Sequence, residues 1–236
     1  MVAGHDGQKR DASAGSNLRA LVFELDNVAV AGRDLKFHAL SSALKPHRVE
    51  LRASAFTSYC QARSQREGLV GLLQAAGKPD ALDALLESVR RAESAAFADA
   101  KLELRPECAA LLKMARKLQV RLGALTALDA AAAESLMRQL GLAEMGIAVQ
   151  SVPAAWRGFR AEHWVQLAQK IAVPPRRCVA VTTQATSCRA ALATRMRCCA
   201  QTDRFTGHQD YSGADLIGDT IDVAAVGALL SDGKSA

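Results

Sequence analysis

Aromatic side chains are scarce in this chain, 4% of 236 residues, which leaves few rings on which nucleobases could stack. The positive excess, +6 with a pI near 9.2, is spread over separate arginine pairs: Arg90-Arg91, Arg176-Arg177 and Arg195/Arg197. These make no stripe, so the charge suits small acidic ligands such as phosphates better than specific nucleic-acid binding. No apolar run reaches the roughly 18 residues that a membrane-spanning helix needs, and no membrane partner is expected. The six cysteines, Cys60, Cys108, Cys178, Cys188, Cys198 and Cys199, show no Cys-x-x-Cys pair and no metal-type spacing with histidine. In apolar surroundings each behaves as a small hydrophobe, and reduced thiols point to a cytoplasmic protein. Cys198 and Cys199 fall on opposite faces of any strand that holds both. Residues 1–17 are polar and lack the apolar segment of a signal peptide. They are expected to form a disordered tail, as are residues 231–236.

Apolar surface, by contrast, is plentiful: half of the residues are hydrophobic and the mean hydropathy is +0.02. That is enough for one medium domain, or a core with a smaller insert. From residue 104 onward helical and strand patterns alternate. Helices are predicted over 106–118, 129–140, 161–171, 184–194 and 223–230, and strands over 120–125, 178–181, 196–200 and 214–217. With a first strand at 20–25 this makes about five strands, and the alternation predicts a parallel sheet flanked by helices. Residues 33–103 break the rhythm. They carry only helical patterns, over 35–44, 52–76 and 81–100, with a turn at Gly77-Lys78-Pro79-Asp80. The prediction is an α/β core, 18–32 and 104–230, with an all-helical cap inserted after the first strand.

The first strand ends Leu21-Val22-Phe23-Glu24-Leu25-Asp26-Asn27-Val28. Glu24 and Asp26 are two residues apart and project to one side where the strand stops. Paired carboxylates there suit metal binding, or a nucleophile beside a general acid. Ligands of open parallel sheets bind at the carboxyl ends of the strands, a rule that gathers Glu24, Asp26, Thr126, Thr182 and Thr183 at one rim beneath the cap.

These residues resemble the haloacid dehalogenase-like (HAD) hydrolase superfamily, in particular its beta-phosphoglucomutase-like members with a helical cap. The resemblance runs from about Leu18 to Leu230. It implies a Rossmannoid core and phosphoryl-transfer chemistry with Mg²⁺. Glu24 stands where the resemblance puts the aspartate nucleophile and Asp26 where it puts the general acid/base, while Asn27 replaces a glycine. Leu104-Arg105-Pro106-Glu107 is similar to the segment that returns the chain from cap to core. Thr126 matches the phosphate-holding hydroxyl of the second motif. The lysine of the third motif is missing, with Arg157 and Arg160 the nearest substitute cations for a phosphate. The acidic fourth motif is replaced by Thr182-Thr183, so the only metal ligands left are Glu24 and Asp26, the latter through its backbone carbonyl. Weak or no Mg²⁺ binding is the expectation. His38 matches a cap-hinge histidine.

Glutamate is one methylene longer than aspartate, and a misplacement of about 1 Å can cost roughly 10²-fold in rate. The leading expectation is therefore a catalytically impaired, pseudo-phosphatase member that acts by binding a phosphorylated metabolite or a partner. The alternative is a divergent phosphatase or phosphomutase with Glu24 as nucleophile and Asp26 as acid/base. Trp156 and Trp164 are expected to be packing anchors, and Glu162-His163 to lie on a helix surface.

Overall fold

The computed structural model describes residues 18–60, 64–99, 101–153 and 158–231. The expectations for residues 1–17 and 232–236, and for Trp156 and Arg157, lie outside them. The core elements in chain order are β1 (Ala20–Glu24), β2 (Arg121–Thr126), β3 (Ala148–Ser151), β4 (Cys178–Thr182), β5 (Arg197–Gln201) and β6 (Leu216–Gly218). They pair in parallel in the order β3-β2-β1-β4-β5-β6. Helices α1 (Gly32–Leu44), α2 (Ala53–Ala55), α3 (Gln65–Ala75) and α4 (Leu82–Phe97) follow β1 and form the cap. Helices α5 (Pro106–Lys117), α6 (Ala130–Gln139), α7 (Ala161–Lys170), α8 (Ala185–Ala193) and α9 (Val223–Ser231) flank the sheet.

The strand period places the core. Leu21 and Phe23 of β1 face one layer with Leu111, Leu112, Leu136 and Val226, from α5, α6 and α9. Ala20 and Val22 face the other with Trp164, Leu167 and Cys188, from α7 and α8. A strand buried on both faces is a continuous apolar run, and all five residues of β1 are buried. Cys198 and Cys199 do fall on opposite faces, one in each layer. Local signals set the helix ends: Asp129 Oδ1 accepts from Ala132 N–H at 2.8 Å to open α6, Ser64 and Glu67 form a capping box on α3, and Pro106 starts α5.

Two features depart from expectation. The sheet has six strands, because β3 was not expected: it lies at the sheet edge, none of its four residues is fully buried, and Ala148-Val149-Gln150-Ser151 therefore shows no strong pattern. Ser231 closes α9 rather than starting a tail.

The cap has its own apolar cluster, built from Leu40, Leu44, Phe56, Leu69, Leu73, Leu85 and Val89. Phe205, on the core loop after β5, is fully buried in that same cluster, with its ring 5.0 Å from Phe56 and 5.4 Å from Phe37. Arg204 lies over both Phe37 and Phe205 and pairs with Asp34 of α1. The two chain crossings between cap and core also meet: Arg105 N–H donates to Ala29 O at 2.9 Å. Core and cap are thus joined by the two crossings and by an inserted aromatic side chain.

Candidate active site

The chain leaves β1 in one wide turn, Leu25–Ala29, and enters α1 at Gly32. The packing there is tight enough to require glycine, since an added Cβ would lie 1.9 Å from the Asp26 carbonyl oxygen. Glu24 and Asp26 are 1% and 2% exposed and border one cavity of about 150 Å³ between the strand ends and the cap. Arg33, Lys36 and Leu40 of α1 line the same cavity, a spacing of three, then four residues that keeps them on one helix face. Phe56, Leu69, Val89, Gln65 and Glu93 supply the cap wall, and Phe159, Gln184 and Ser187 the core wall.

One network organises the rim. Arg33, 5% exposed, pairs through Nη1 with Asp203. Its Nη2 donates to the Thr183 backbone oxygen at 2.8 Å and to the Thr183 hydroxyl. That hydroxyl in turn donates to Glu24 Oε2. Tyr211 O–H also donates to the Thr183 carbonyl, at 3.2 Å. Asp203 is itself fixed, its Oδ1 accepting from Phe205 N–H at 2.8 Å. Burial pushes the Glu24 carboxyl above the usual carboxylate range, partly offset by the Arg33 charge and by the Thr183 and Ser187 hydroxyls. Beside it, Lys36 Nζ lies 3.8 Å from Asp26 Oδ2. Glu93 is also raised by burial, against the pull of Lys36 and a 3.1 Å hydrogen bond from Gln65. Three buried polar atoms of the lining residues have no hydrogen-bond partner: Glu24 Oε1, Asp26 Oδ1 and Arg33 Nε.

The expected phosphate ligands are dispersed. Thr126 is fully buried and its hydroxyl accepts from Leu128 N–H at 3.1 Å, holding the turn after β2. Thr182 turns to the other side of its strand, with its hydroxyl 3.4 Å from Cys198 Sγ; neither threonine lines the cavity. Thr183 is at the rim, but its hydroxyl is engaged by Arg33 and Glu24. The Arg160 side chain is largely exposed, 3.7 Å from Glu162, and does not line the cavity. Its backbone N–H donates to His163 Nδ1 at 3.1 Å, so Glu162-His163 serves the start of α7. His38 is exposed with its ring against Phe37. Trp164 is a buried packing residue beside Phe159.

The residues present do not fit a divalent ion. Thr183 stands where the resemblance puts an acid, and the guanidinium of Arg33 is hydrogen-bonded there, adjoining Glu24. The Asp26 carbonyl, the second expected metal ligand, is packed against Gly32. Among the described residues no group of three His, Cys, Asp or Glu side chains is placed to hold a metal. Mg²⁺ prefers octahedral oxygen ligation, which a fixed cation at the rim opposes. Sequence reasoning missed Arg33, Lys36, Glu93, Ser187 and Asp203. For Arg33 and Lys36 a signal was present: two cations and Leu40 at helical spacing directly after the acidic motif.

Solved structures supply the comparison. An HAD family hydrolase from Deinococcus radiodurans with bound phosphate and sodium superposes with a TM-score of 0.70 at 19% identity, covering 92% of this chain and 96% of that one. CbbY from Rhodobacter sphaeroides, in complex with xylulose-1,5-bisphosphate, gives 0.66 at 20% identity, covering 86% and 94%. Beta-phosphoglucomutase from Clostridium difficile gives 0.65 at 14% identity, covering 86% and 91%. No family model matches the sequence, and no curated protein does. The fold is that of these HAD-like structures of the beta-phosphoglucomutase type.

Proposed function

We propose that this protein uses an HAD-type hydrolase fold to bind a phosphorylated small molecule in the cap–core cavity, without magnesium-dependent turnover. The observation that carries the reading is the Arg33–Thr183–Glu24 network. A carboxylate nucleophile must be ionised and free to approach phosphorus. Here burial favours the neutral carboxyl and Thr183 holds one of its oxygens. The same side chains serve binding: Arg33 and Lys36 bring positive charge to the cavity, and the apolar cap wall of Leu40, Phe56, Leu69 and Val89 can cover the rest of a small molecule. Neighbours of the same fold carry phosphate and a sugar bisphosphate, which makes phosphorylated sugars the first ligands to try. Localisation in the cytoplasm rests on the thiol content alone; no described helix is long and apolar enough to cross a membrane.

A second reading has one observation in its favour. Glu24 Oε1 and Asp26 Oδ1 are both unpartnered and both belong to residues bordering the cavity, an arrangement also suited to a nucleophile and an acid/base. Turnover of a panel of sugar phosphates and an aryl phosphate, with and without Mg²⁺, separates the two. The expected result is no turnover above that of the Asp26→Ala variant. Magnesium-dependent turnover that disappears in Asp26→Ala would establish the divergent phosphatase instead.

A further inference from the structure

We propose that Arg33 is the resident cation of this pocket: it takes the place at Glu24 and Thr183 that the resemblance assigns to Mg²⁺, so that an oxyanion is held without metal. The proposal rests on the reading above for the identity of that oxyanion, a phosphate group. A guanidinium 5% exposed has lost most of its hydration, at a cost of several kcal/mol unless its donors are satisfied. Two of its nitrogens are: Nη1 on Asp203 and Nη2 on Thr183. Nε is buried and has no partner, and Arg33 borders the cavity. A buried, unpaired N–H of a cation is a donor awaiting an acceptor. The two carboxylates that would otherwise repel an anion are engaged: Glu24 Oε2 accepts from the Thr183 hydroxyl, and Asp26 faces Lys36 at 3.8 Å.

The fold also holds the cation in place. Arg33 sits in the first turn of α1, one residue after Gly32, whose lack of a side chain lets α1 approach the Asp26 carbonyl. Its anchor Asp203 comes from the core loop that inserts Phe205 into the cap. The charge is thus fixed from both sides of the seam before any ligand arrives. Such a preorganised donor costs little to reorganise on binding.

The test is calorimetric titration of inorganic phosphate into the full chain, once in excess EDTA and once with Mg²⁺. The Arg33→Met variant is titrated beside it, with its fold checked by circular dichroism. Phosphate should bind equally in EDTA and in Mg²⁺, and Arg33→Met should weaken it by about tenfold or more, the loss expected for a charge-assisted hydrogen bond. Binding that requires Mg²⁺ would overturn the assignment of the cation and leave the phosphate reading intact. No binding in either condition would overturn both. Because Arg33→Met strips Asp203 of its ion-pair partner and can unfold the seam, Mn²⁺ titration of the unmodified chain by electron paramagnetic resonance gives an independent reading. Only the free-ion signal is expected, and a protein-bound signal abolished by Asp26→Ala would overturn the proposal.

Discussion

Along β1, Leu21 and Phe23 meet one helical layer and Ala20 and Val22 the other, all at 0% exposure, and one step further Glu24 is buried almost as completely, at 1%. The interior of the strand and its rim are thus equally dry but differently built. In the interior, stabilisation comes from removing apolar surface from water, about 1.5–3 kcal/mol for each large side chain. At the rim the buried groups are polar, and Glu24, Asp26 and Arg33 each retain an atom without a partner. Such groups cost free energy unless something completes them. The strand interior therefore carries the stability, while the rim keeps hydrogen-bonding groups open, as the proposed ligand requires.

The contrast can be broken most severely from the interior. Phe23→Ala should destabilise the fold by about 3–5 kcal/mol, as for other large-to-small changes in a packed core, measured by urea unfolding. Phe205→Ala should cost somewhat less, about 2–4 kcal/mol, because the cap cluster is smaller. Its distinctive result would be earlier loss of hydrogen-exchange protection in α1, α3 and α4 than in the sheet. Unchanged relative protection would mean that Phe205 does not tie cap to core.

The rim should respond with the opposite sign. Glu24 has a folded-state pKa above its unfolded value, so its contribution to stability is fully present below the unfolded carboxylate range. That contribution is lost as pH rises through the folded pKa. Glu24→Gln removes that dependence while keeping a side chain that can accept from Thr183. The variant should be slightly more stable than the parent at neutral pH, with a flatter melting temperature between acid and neutral pH. Glu93, shifted the same way, would add a residual slope of the same sign. A variant less stable than the parent at neutral pH would show that the ionised carboxylate, linked to Arg33 through the Thr183 hydroxyl, is the stabilising form.

Much of this was legible along the chain. Alternating helix and strand patterns, the long helical interruption after β1 and the position of Glu24-Leu25-Asp26 require only local periodicity and turn chemistry, and they lead to the core, the cap and the acidic rim. Edge strand β3 was not legible, because a strand with one exposed side and four mixed residues lacks the apolar run that marks β1 and β4. Thr126 and Thr182 end their strands as expected, yet neither lines the cavity, for a related reason. A strand's end is readable, but which hydroxyl turns to the cavity and which is consumed by a turn or a thiol depends on neighbours far along the chain.

The sequence by itself determined the architecture, which follows from residue type and spacing, and, through the resemblance, the replacement of an expected acidic motif by Thr182-Thr183. Only the tertiary structure decided what fills the place of that motif. Arg33 and Thr183 are 150 positions apart, and Arg33 and Asp203 are 170 apart. The chain must cross from core to cap and back before the guanidinium, the hydroxyl and the carboxyl meet. No local pattern encodes that contact, because it is the packing of cap against core that brings the three groups together and excludes water from them.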